Sequence, residues 1–180
     1  MNRFRREYYL VLPVLVAFVF IVLAIIGGVR RYSPVPYWDM WGALDFYIKI
    51  SDGHHEAWWA QHNEHRIVLD RLLSWIDFSL FNGCRVFLVV FNYILVLVSF
   101  TFLYACTRER LEFDQKPMGK HVIGLLLVTL LFSWIQQENL IWPFQSSFFL
   151  AQLLPLIAFY LIHKAFVSKA RSNAFFAMAC

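Results

Sequence analysis

The sequence predicts an all-α, polytopic membrane protein with about four transmembrane helices and amphipathic interfacial helices in its first long loop. Of its 180 residues, 60% are hydrophobic and only 16% are charged. The mean hydropathy of +0.56 lies outside the range of soluble globular proteins. The net charge of +4 does not indicate a nucleic-acid partner, because the basic residues lie at the ends of apolar runs, where they orient a membrane protein.

The apolar residues are collected in runs that are long enough to cross a bilayer. About 20 residues span the ~30 Å of hydrocarbon, so the third run is short and its ends should lie close to water. The first run exceeds the hydrophobic core of a secretory signal and is followed by no small-residue cleavage pattern, which favours a retained anchor. The predicted crossings are residues 8–27, 86–106, 121–135 and 147–163, in a single membrane domain, 1–180.

A fifth apolar segment, residues 67–81, is predicted to lie along the membrane surface. Its three charged residues each cost about 2.5 to 3.5 kcal/mol at a helix centre, more than its apolar residues offset. Its polar and apolar residues alternate at helical spacing, which is typical of an interfacial helix. The polar positions are Arg66, Asp70, Ser74 and Asp77, and the apolar positions are Leu69, Leu72, Leu73, Ile76 and Leu80.

The distribution of positive charge predicts the orientation of the chain. Ten of the sixteen basic residues lie in the amino-terminal tail, the 107–120 loop and the carboxyl-terminal tail. Four crossings place these three segments on one side, and the positive-inside rule makes that side cytoplasmic. The long loop 28–85 and the short loop 136–146 are therefore both expected on the opposite, external side.

Within the long loop the sequence predicts an extended segment followed by surface helices. Residues 33–36 contain two prolines, each of which biases its predecessor away from helix. A helix follows, with Asp45 and Lys49 paired four residues apart, and Asp52-Gly53 ends it. A polar segment, 61–66, then precedes the amphipathic helix, and Asn82-Gly83 turns the chain into the second crossing.

This order of parts resembles the amino-terminal module of the GT-C class of glycosyltransferases, and the likeness covers roughly residues 8–165. It is carried by Tyr37-Trp38-Asp39 soon after the first crossing, by Phe81-Asn82-Gly83 and by Arg85. More narrowly, residues 61–66 and 138–145 look like bacterial membrane proteins grouped with that class.

The resemblance implies a bacterial inner-membrane enzyme that transfers a sugar from a polyprenyl-phosphate carrier to an envelope glycan or lipid acceptor. It also implies that Asp39, the acidic residue of the first loop, is the catalytic base or holds a metal at the acceptor. The class has more crossings than the four predicted here, and residues 173–180 look like the start of a fifth. The chain is therefore expected to be incomplete at its carboxyl terminus and to need further helices or a partner subunit.

Asp39 is the predicted catalytic residue. A carboxylate between two tryptophans at a membrane surface is partly desolvated, which favours work as a general base. The alternative is a helix cap, because Asp39 follows a proline-rich turn at the start of a predicted helix. The two roles are compatible.

The segment 61–66 supplies His62, Glu64, His65 and Arg66 as predicted substrate-binding residues. On a helix, the two histidines would share a face and could ligate a divalent metal with a third, acidic ligand. A hydrogen-bonded, solvated segment is the favoured alternative, so no metal ligand is assigned. The planar guanidinium of Arg66 suits a phosphate oxygen. The alternative is an ion pair between Arg66 and Asp70.

Loop 136–146 supplies the remaining predicted substrate-binding residues, Glu138, Asn139 and Gln145. Together with Gln136 and Gln137 they form an amide-rich cluster beside Trp134 and Trp142. Such clusters fit sugar recognition, because hydroxyls need paired donors and acceptors and a sugar ring packs on an aromatic face. The alternative is a short polar turn between two helices.

A second function fits the same sequence: a non-catalytic membrane subunit or transport component that binds a lipid headgroup or a partner protein. Ionisable residues are almost absent from the centres of the predicted crossings, which argues against conduction. In either case the expected partners are membrane lipid and, for the enzyme, a lipid-linked sugar donor and its acceptor.

Overall fold

The computed structural model describes residues 3–111 and 117–167, and within those ranges it contains α-helices and no strand. The predicted all-α fold is confirmed. Short 3-10 turns at His55–Trp58, Trp134–Gln136 and Pro143–Gln145 join some of the helices. The helices are α1 (Arg3–Arg31), α2 (Met40–Ser51), α3 (Val68–Phe81), α4 (Val86–Leu111), α5 (Pro117–Leu131), α6 (Gln137–Ile141) and α7 (Ser146–Val167).

Four segments of the described chain are long and apolar enough to cross a membrane, so the protein is a multi-pass membrane protein. They are Leu10–Arg31, Val86–Glu109, Gly119–Ile141 and Pro143–Phe166, in agreement with the four predicted runs. The third segment is interrupted after α5, where the sequence predicts a short crossing with its end near water. The predicted start of a fifth crossing, 173–180, lies outside the described residues, as do Lys116, Lys169 and Arg171.

Two adjacent glycines allow α1 to pack closely on its neighbours. A Cβ atom at Gly27 would lie 2.3 Å from the ring of Trp134, and one at Gly28 would lie 2.5 Å from the hydroxyl of Tyr93. That hydroxyl donates a hydrogen bond of 2.7 Å to the carbonyl of Ala24. Close packing of small residues is a common way to join membrane helices, where lipid tails compete for apolar surface.

The long loop folds back on itself, so its beginning and end meet. Arg85 donates from its guanidinium to the carbonyl of Pro34, and Tyr32 donates to the carbonyl of Cys84. The predicted pair between Lys49 and Asp45 is confirmed at 2.7 Å. The predicted breaks are confirmed too: Asp52 caps the end of α2, and Asn82 ends α3 in the left-handed region at φ 55°.

The predicted amphipathic helix is present as α3, but its polar face is buried. Asp70 and Ser74 are each 4% exposed and Asp77 is 1% exposed. On the opposite side, Leu69 and Leu80 are exposed. The polar face packs inward because it finds hydrogen-bond partners on other elements, so the outward face of α3 is the apolar one.

Candidate functional site

The principal candidate site is a cleft of about 390 Å³ between residues 31–40 and residues 137–143, called here the aromatic cleft. It lies where α1 ends and where the chain passes from α6 towards α7. Arg31 and Glu138 contribute its charged side chains. Its aromatic side chains are Tyr37, Trp38 and Trp142.

The three aromatic rings of the cleft form a continuous group. The ring centroids of Tyr37 and Trp38 are 5.8 Å apart, and both rings lie about as close to Trp142, at 6.1 and 6.2 Å. Trp38 is 72% exposed and has a φ of 53°, a conformation that a bulky residue rarely adopts. The indole nitrogen of Trp142 is buried and has no hydrogen-bond partner among the described residues. The cleft therefore presents aromatic surface, and one of its lining residues carries a buried N-H without a described partner.

Asp39, the predicted catalytic base, lies beside the cleft. It occupies the N-cap position of α2, as the alternative interpretation predicts, yet within the described structure its side chain makes no capping hydrogen bond. Its main-chain carbonyl accepts a 3.0 Å bond from Gly42 instead. The half-buried carboxylate is not among the described residues that line the cleft, although its neighbours Trp38 and Met40 are.

The predicted polar segment, residues 61–66, is a tight hairpin, called here the histidine hairpin. His62 and His65 exchange backbone hydrogen bonds of 2.8 and 2.9 Å across Asn63 and Glu64. Asn63 has the φ of 49° that this turn requires. The segment is therefore a turn, and the helix on which His62 and His65 would share a face is not formed here. Residues paired in this way still carry their side chains on the same side.

Within the histidine hairpin only His62 is partly buried. Its ring packs 5.6 Å from that of Phe144, and its Nε2 atom is buried with no hydrogen-bond partner in the described structure. Glu64 and His65 are exposed. Arg66 is exposed as well, and its guanidinium donates a 3.0 Å bond to the carbonyl of Trp59.

The sequence leaves two alternatives open for this hairpin: an ion pair between Arg66 and Asp70, and a metal site at the two histidines. Asp70, the alternative partner of Arg66, accepts a hydrogen bond from Ser146. In residues 3–111 and 117–167, no three His, Cys, Asp or Glu side chains come together in a group that could hold a metal ion. The described structure thus offers His62 and His65 no third ligand from these residue types.

The amide-rich cluster predicted around residues 136–145 is divided between two places. Gln137 and Glu138 line the aromatic cleft. Gln136, Asn139 and Gln145 line a different cavity, of about 180 Å³, called here the amide pocket. Of the two tryptophans predicted beside the cluster, Trp142 lies in the cleft, whereas Trp134 packs against α1.

A buried ionisable cluster on α3 is the feature that sequence reasoning misses. Asp70 accepts a 3.0 Å bond from the hydroxyl of Ser146, and Asp77 accepts a 3.1 Å bond from the backbone N-H of Arg85. A small cavity of about 20 Å³ lies between these residues, and the second carboxylate oxygen of Asp77 is buried without a described partner. A space of this size and polarity suits one water molecule, since a water needs roughly 10 to 15 Å³.

Burial shifts the pKa values of this cluster. It raises the pKa of Asp70 to about 7, against the opposing effects of the Ser146 hydrogen bond and the Arg71 charge. Burial also raises the pKa of Asp77, although the N-H and charge of Arg85 oppose it, and it lowers the pKa of Arg85. Since Ser146 is 76 residues from Asp70, no local pattern indicates this pairing.

Comparison with models of known protein families, with curated proteins and with solved structures found no match for this chain.

Proposed function

We propose that this protein binds a lipid-linked sugar in the aromatic cleft and takes part in transferring that sugar from a polyprenyl-phosphate carrier to an envelope glycan or lipid acceptor. In this proposal it lies in the bacterial inner membrane with its amino terminus in the cytoplasm. The observation that carries the proposal is the composition of the cleft: aromatic faces, a guanidinium and a carboxylate at the end of a membrane span.

The aromatic side chains suit the sugar. A pyranose ring has an apolar face that packs on an indole or phenol ring, and Tyr37, Trp38 and Trp142 offer such faces. The Nε1 of Trp142 is buried and has no described acceptor, so a rotation of the indole that brought it to the cleft surface would let it donate to a sugar hydroxyl. A group that supplied this acceptor would remove the cost of an unsatisfied buried donor.

Arg31 suits the carrier phosphate. It is the last residue of the span Leu10–Arg31, so its side chain lies where the hydrocarbon gives way to headgroups. The guanidinium fork can bind two phosphate oxygens at once. Arg66, the phosphate ligand predicted from the sequence, lies in the histidine hairpin and is not among the described residues that line the cleft.

The transfer itself needs a base that accepts the proton of the acceptor hydroxyl while its oxygen attacks the anomeric carbon and the polyprenyl phosphate leaves. Glu138 lines the cleft and is exposed, so it can reach a bound acceptor. Asp39 remains the base that the sequence predicts. Because it flanks the cleft, Asp39 needs a local shift to reach the same group.

The position of Asp39 also favours the second candidate, a non-catalytic subunit that binds the same ligand. If neither carboxylate acts as a base, the cleft is a binding site only. Sugar binding without transfer is then the expected activity of this chain.

Binding is tested with the protein in nanodiscs and three probes: a polyprenyl-phosphate sugar, the polyprenyl phosphate alone, and the polyprenol. The sugar conjugate should bind most tightly. Trp142→Ala and Arg31→Gln should each weaken its binding at least tenfold, which corresponds to about 1.4 kcal/mol. Trp59→Ala is the matched control, because Trp59 is an exposed tryptophan that does not line the cleft. Equal binding of all three lipids would refute the proposal.

Transfer is tested with Asp39→Asn and Glu138→Gln in the same nanodiscs. Loss of transfer with intact donor binding identifies the base, and full activity of Asp39→Asn would remove Asp39 from that role. Donor binding with no transfer by the unsubstituted protein would favour the non-catalytic candidate.

A further inference from the structure

The amide pocket is a second cavity that the proposed sugar site does not use. Five neutral polar side chains line it, and none of the described residues around it is ionisable. Aromatic and aliphatic side chains from α4, α5 and α7 complete its walls. The polar members are Ser99, Gln136, Asn139, Gln145 and Gln152.

The pocket extends from the residues that join the third and fourth spans into the membrane-spanning part of the fold, where Ser99 and Gln152 line it. Ser99 is about 20 Å along α4 from Val86, at 1.5 Å per residue. Gln152 is on α7, inside the span Pro143–Phe166. Polar side chains at such depth face a medium that offers them no hydrogen bonds, so each must find a partner in the protein or in a ligand.

Part of the hydrogen-bonding capacity in the pocket is unused. Gln136 donates to the carbonyl of Leu130 at 2.7 Å, and Asn139 donates to Gln136 at 3.4 Å. The side-chain amides of Gln145 and Gln152 have no hydrogen-bond partner among the described residues. Each of these amides carries two donors and one acceptor oxygen. An occupant with hydroxyl and carbonyl groups would satisfy them.

The pocket opens sideways along α7. Phe148, Gln152 and Leu156 line it, stand four residues apart and so share one face of the helix. All three are exposed: Phe148 by 51% and Leu156 by 47% of their surface. Since α7 is a membrane-spanning helix, a lipid that lies against this exposed face can reach the amides directly.

We propose that the amide pocket binds the uncharged head of a diacylglycerol-type lipid, with an acyl chain along Phe148 and Leu156. The free hydroxyl and two ester carbonyls of such a lipid match the donors and acceptors of Gln145 and Gln152. The lining offers no cation to a phosphate, and a buried charge without a partner is costly. The cavity of about 180 Å³ is more than ten times the roughly 10 to 15 Å³ that one water needs, so it has room for a group larger than water.

This site is independent of the proposed sugar site, because the lining residues of the two cavities do not overlap. Gln137 and Glu138 line the aromatic cleft, whereas their neighbours Gln136 and Asn139 line the amide pocket. Failure of either proposal therefore leaves the other standing.

The test is photo-crosslinking of the full chain in phosphatidylcholine nanodiscs. The probe is a diacylglycerol with a diazirine in one acyl chain, and labelled peptides are mapped by mass spectrometry. Labelling should fall on α4 near Ser99 and on α7 between Phe148 and Leu156. Unlabelled diacylglycerol should compete, whereas phosphatidic acid and polyprenol should compete at least tenfold more weakly.

Substitutions test whether the labelling depends on the side-chain amides of Gln145 and Gln152. Replacing Gln145 and Gln152 together by leucine should reduce labelling at least tenfold, because the apolar side chains cannot pair with the head. Gln137→Leu is the matched control, because it removes an amide from the aromatic cleft and should leave labelling unchanged. If the double variant does not fold, Gln152→Phe fills the pocket mouth and should give the same loss.

Several outcomes would overturn the proposal. They are labelling that does not saturate, labelling that the double variant retains, and equal or stronger competition by phosphatidic acid or polyprenol. Loss of labelling in Trp142→Ala would also contradict it, because that would place the lipid in the aromatic cleft.

Discussion

The histidine hairpin and the inward face of α3 follow one another in the same loop and are both rich in ionisable residues, yet they meet opposite environments. The hairpin is closed by the two backbone bonds between His62 and His65, and its residues Glu64, His65 and Arg66 are exposed. In α3, by contrast, Asp70 and Asp77 are buried and bond to residues of other elements.

This difference separates side chains that are available to a ligand from those that hold the fold together. The acidic side chains of α3 join it to the first residue of α7 and to the residue before α4. The exposed side chains of the hairpin carry no such connection, apart from the bond between Arg66 and Trp59. The two regions should therefore respond differently to substitution and to pH.

Asp70→Asn should give the largest effect, a stabilisation that depends on pH. The pKa of Asp70 is about 7 in the folded protein and 3.8 in the unfolded chain, so the folded state holds the proton more tightly and stability falls as pH rises from about 4 to 7. Asparagine avoids this loss and keeps an oxygen for Ser146. At pH 8 the variant should be more stable by about 4 kcal/mol, from ~1.4 kcal/mol per pKa unit.

The measurement is the free energy of unfolding in detergent at pH 4.5 and pH 8. The gain should be about 4 kcal/mol at pH 8 and should fall to about 1 kcal/mol at pH 4.5. Asp45→Asn, on the exposed side of α2, is the control and should give no comparable gain at pH 8. Identical pH profiles for the variant and the unsubstituted protein would mean that Asp70 is not buried as described.

Asp77→Ala should destabilise the protein by about 3 kcal/mol, because it removes the acceptor of the Arg85 N-H and the negative charge that acts most strongly on that buried guanidinium. Asp77→Asn keeps an acceptor and should cost less. Both values come from the same detergent unfolding measurement. If Asp77→Ala lowers the free energy of unfolding by less than Asp45→Asn does, the cluster does not connect α3 to α4.

Much of the fold could be predicted from the sequence because its causes are local. Hydropathy over about 20 residues identifies the spans, and Asn82 and Gly83 mark the end of α3 whatever surrounds them. The helical spacing of Asp70, Ser74 and Asp77 likewise predicts one polar face. Which way that face points depends on Ser146 and Arg85, which are distant in sequence, so the spacing alone could not decide it.

The sequence predicts which residues line the candidate site better than it predicts which of them lie together. Glu138 lines the cleft, and Asp39 follows Trp38 at its edge. The division of Glu138 and Asn139 between two cavities depends on the rotation of the short helix α6, which amide composition does not encode. Likewise, nothing in the composition of residues 61–66 distinguishes a hairpin from a helix, apart from the tolerance of Asn63 for a positive φ.

Asn63→Val should have a smaller and more local effect. Asn63 has a φ of 49°, and a β-branched residue in this left-handed region costs roughly 1 to 2 kcal/mol. The hairpin should open, so the amide hydrogens of His62 and His65 should exchange faster with solvent, as mass spectrometry can measure. Asn63→Gly is the control and should leave exchange unchanged. Faster exchange throughout α3 as well would contradict the separation of the two regions.

Arg66→Ala should have the smallest effect on stability, below about 1 kcal/mol, because its single bond to the Trp59 carbonyl is exposed and water replaces it. The comparison with Arg71 is the informative one, since that buried guanidinium donates to the carbonyls of Trp58 and Ala60. A loss of stability in Arg66→Ala as large as in Arg71→Ala would make the hairpin part of the structural core. If stability is retained, the same variant tests the phosphate role cleanly: weaker binding of polyprenyl phosphate would place Arg66 beside Arg31 at the carrier, and unchanged binding would leave that role to Arg31 alone.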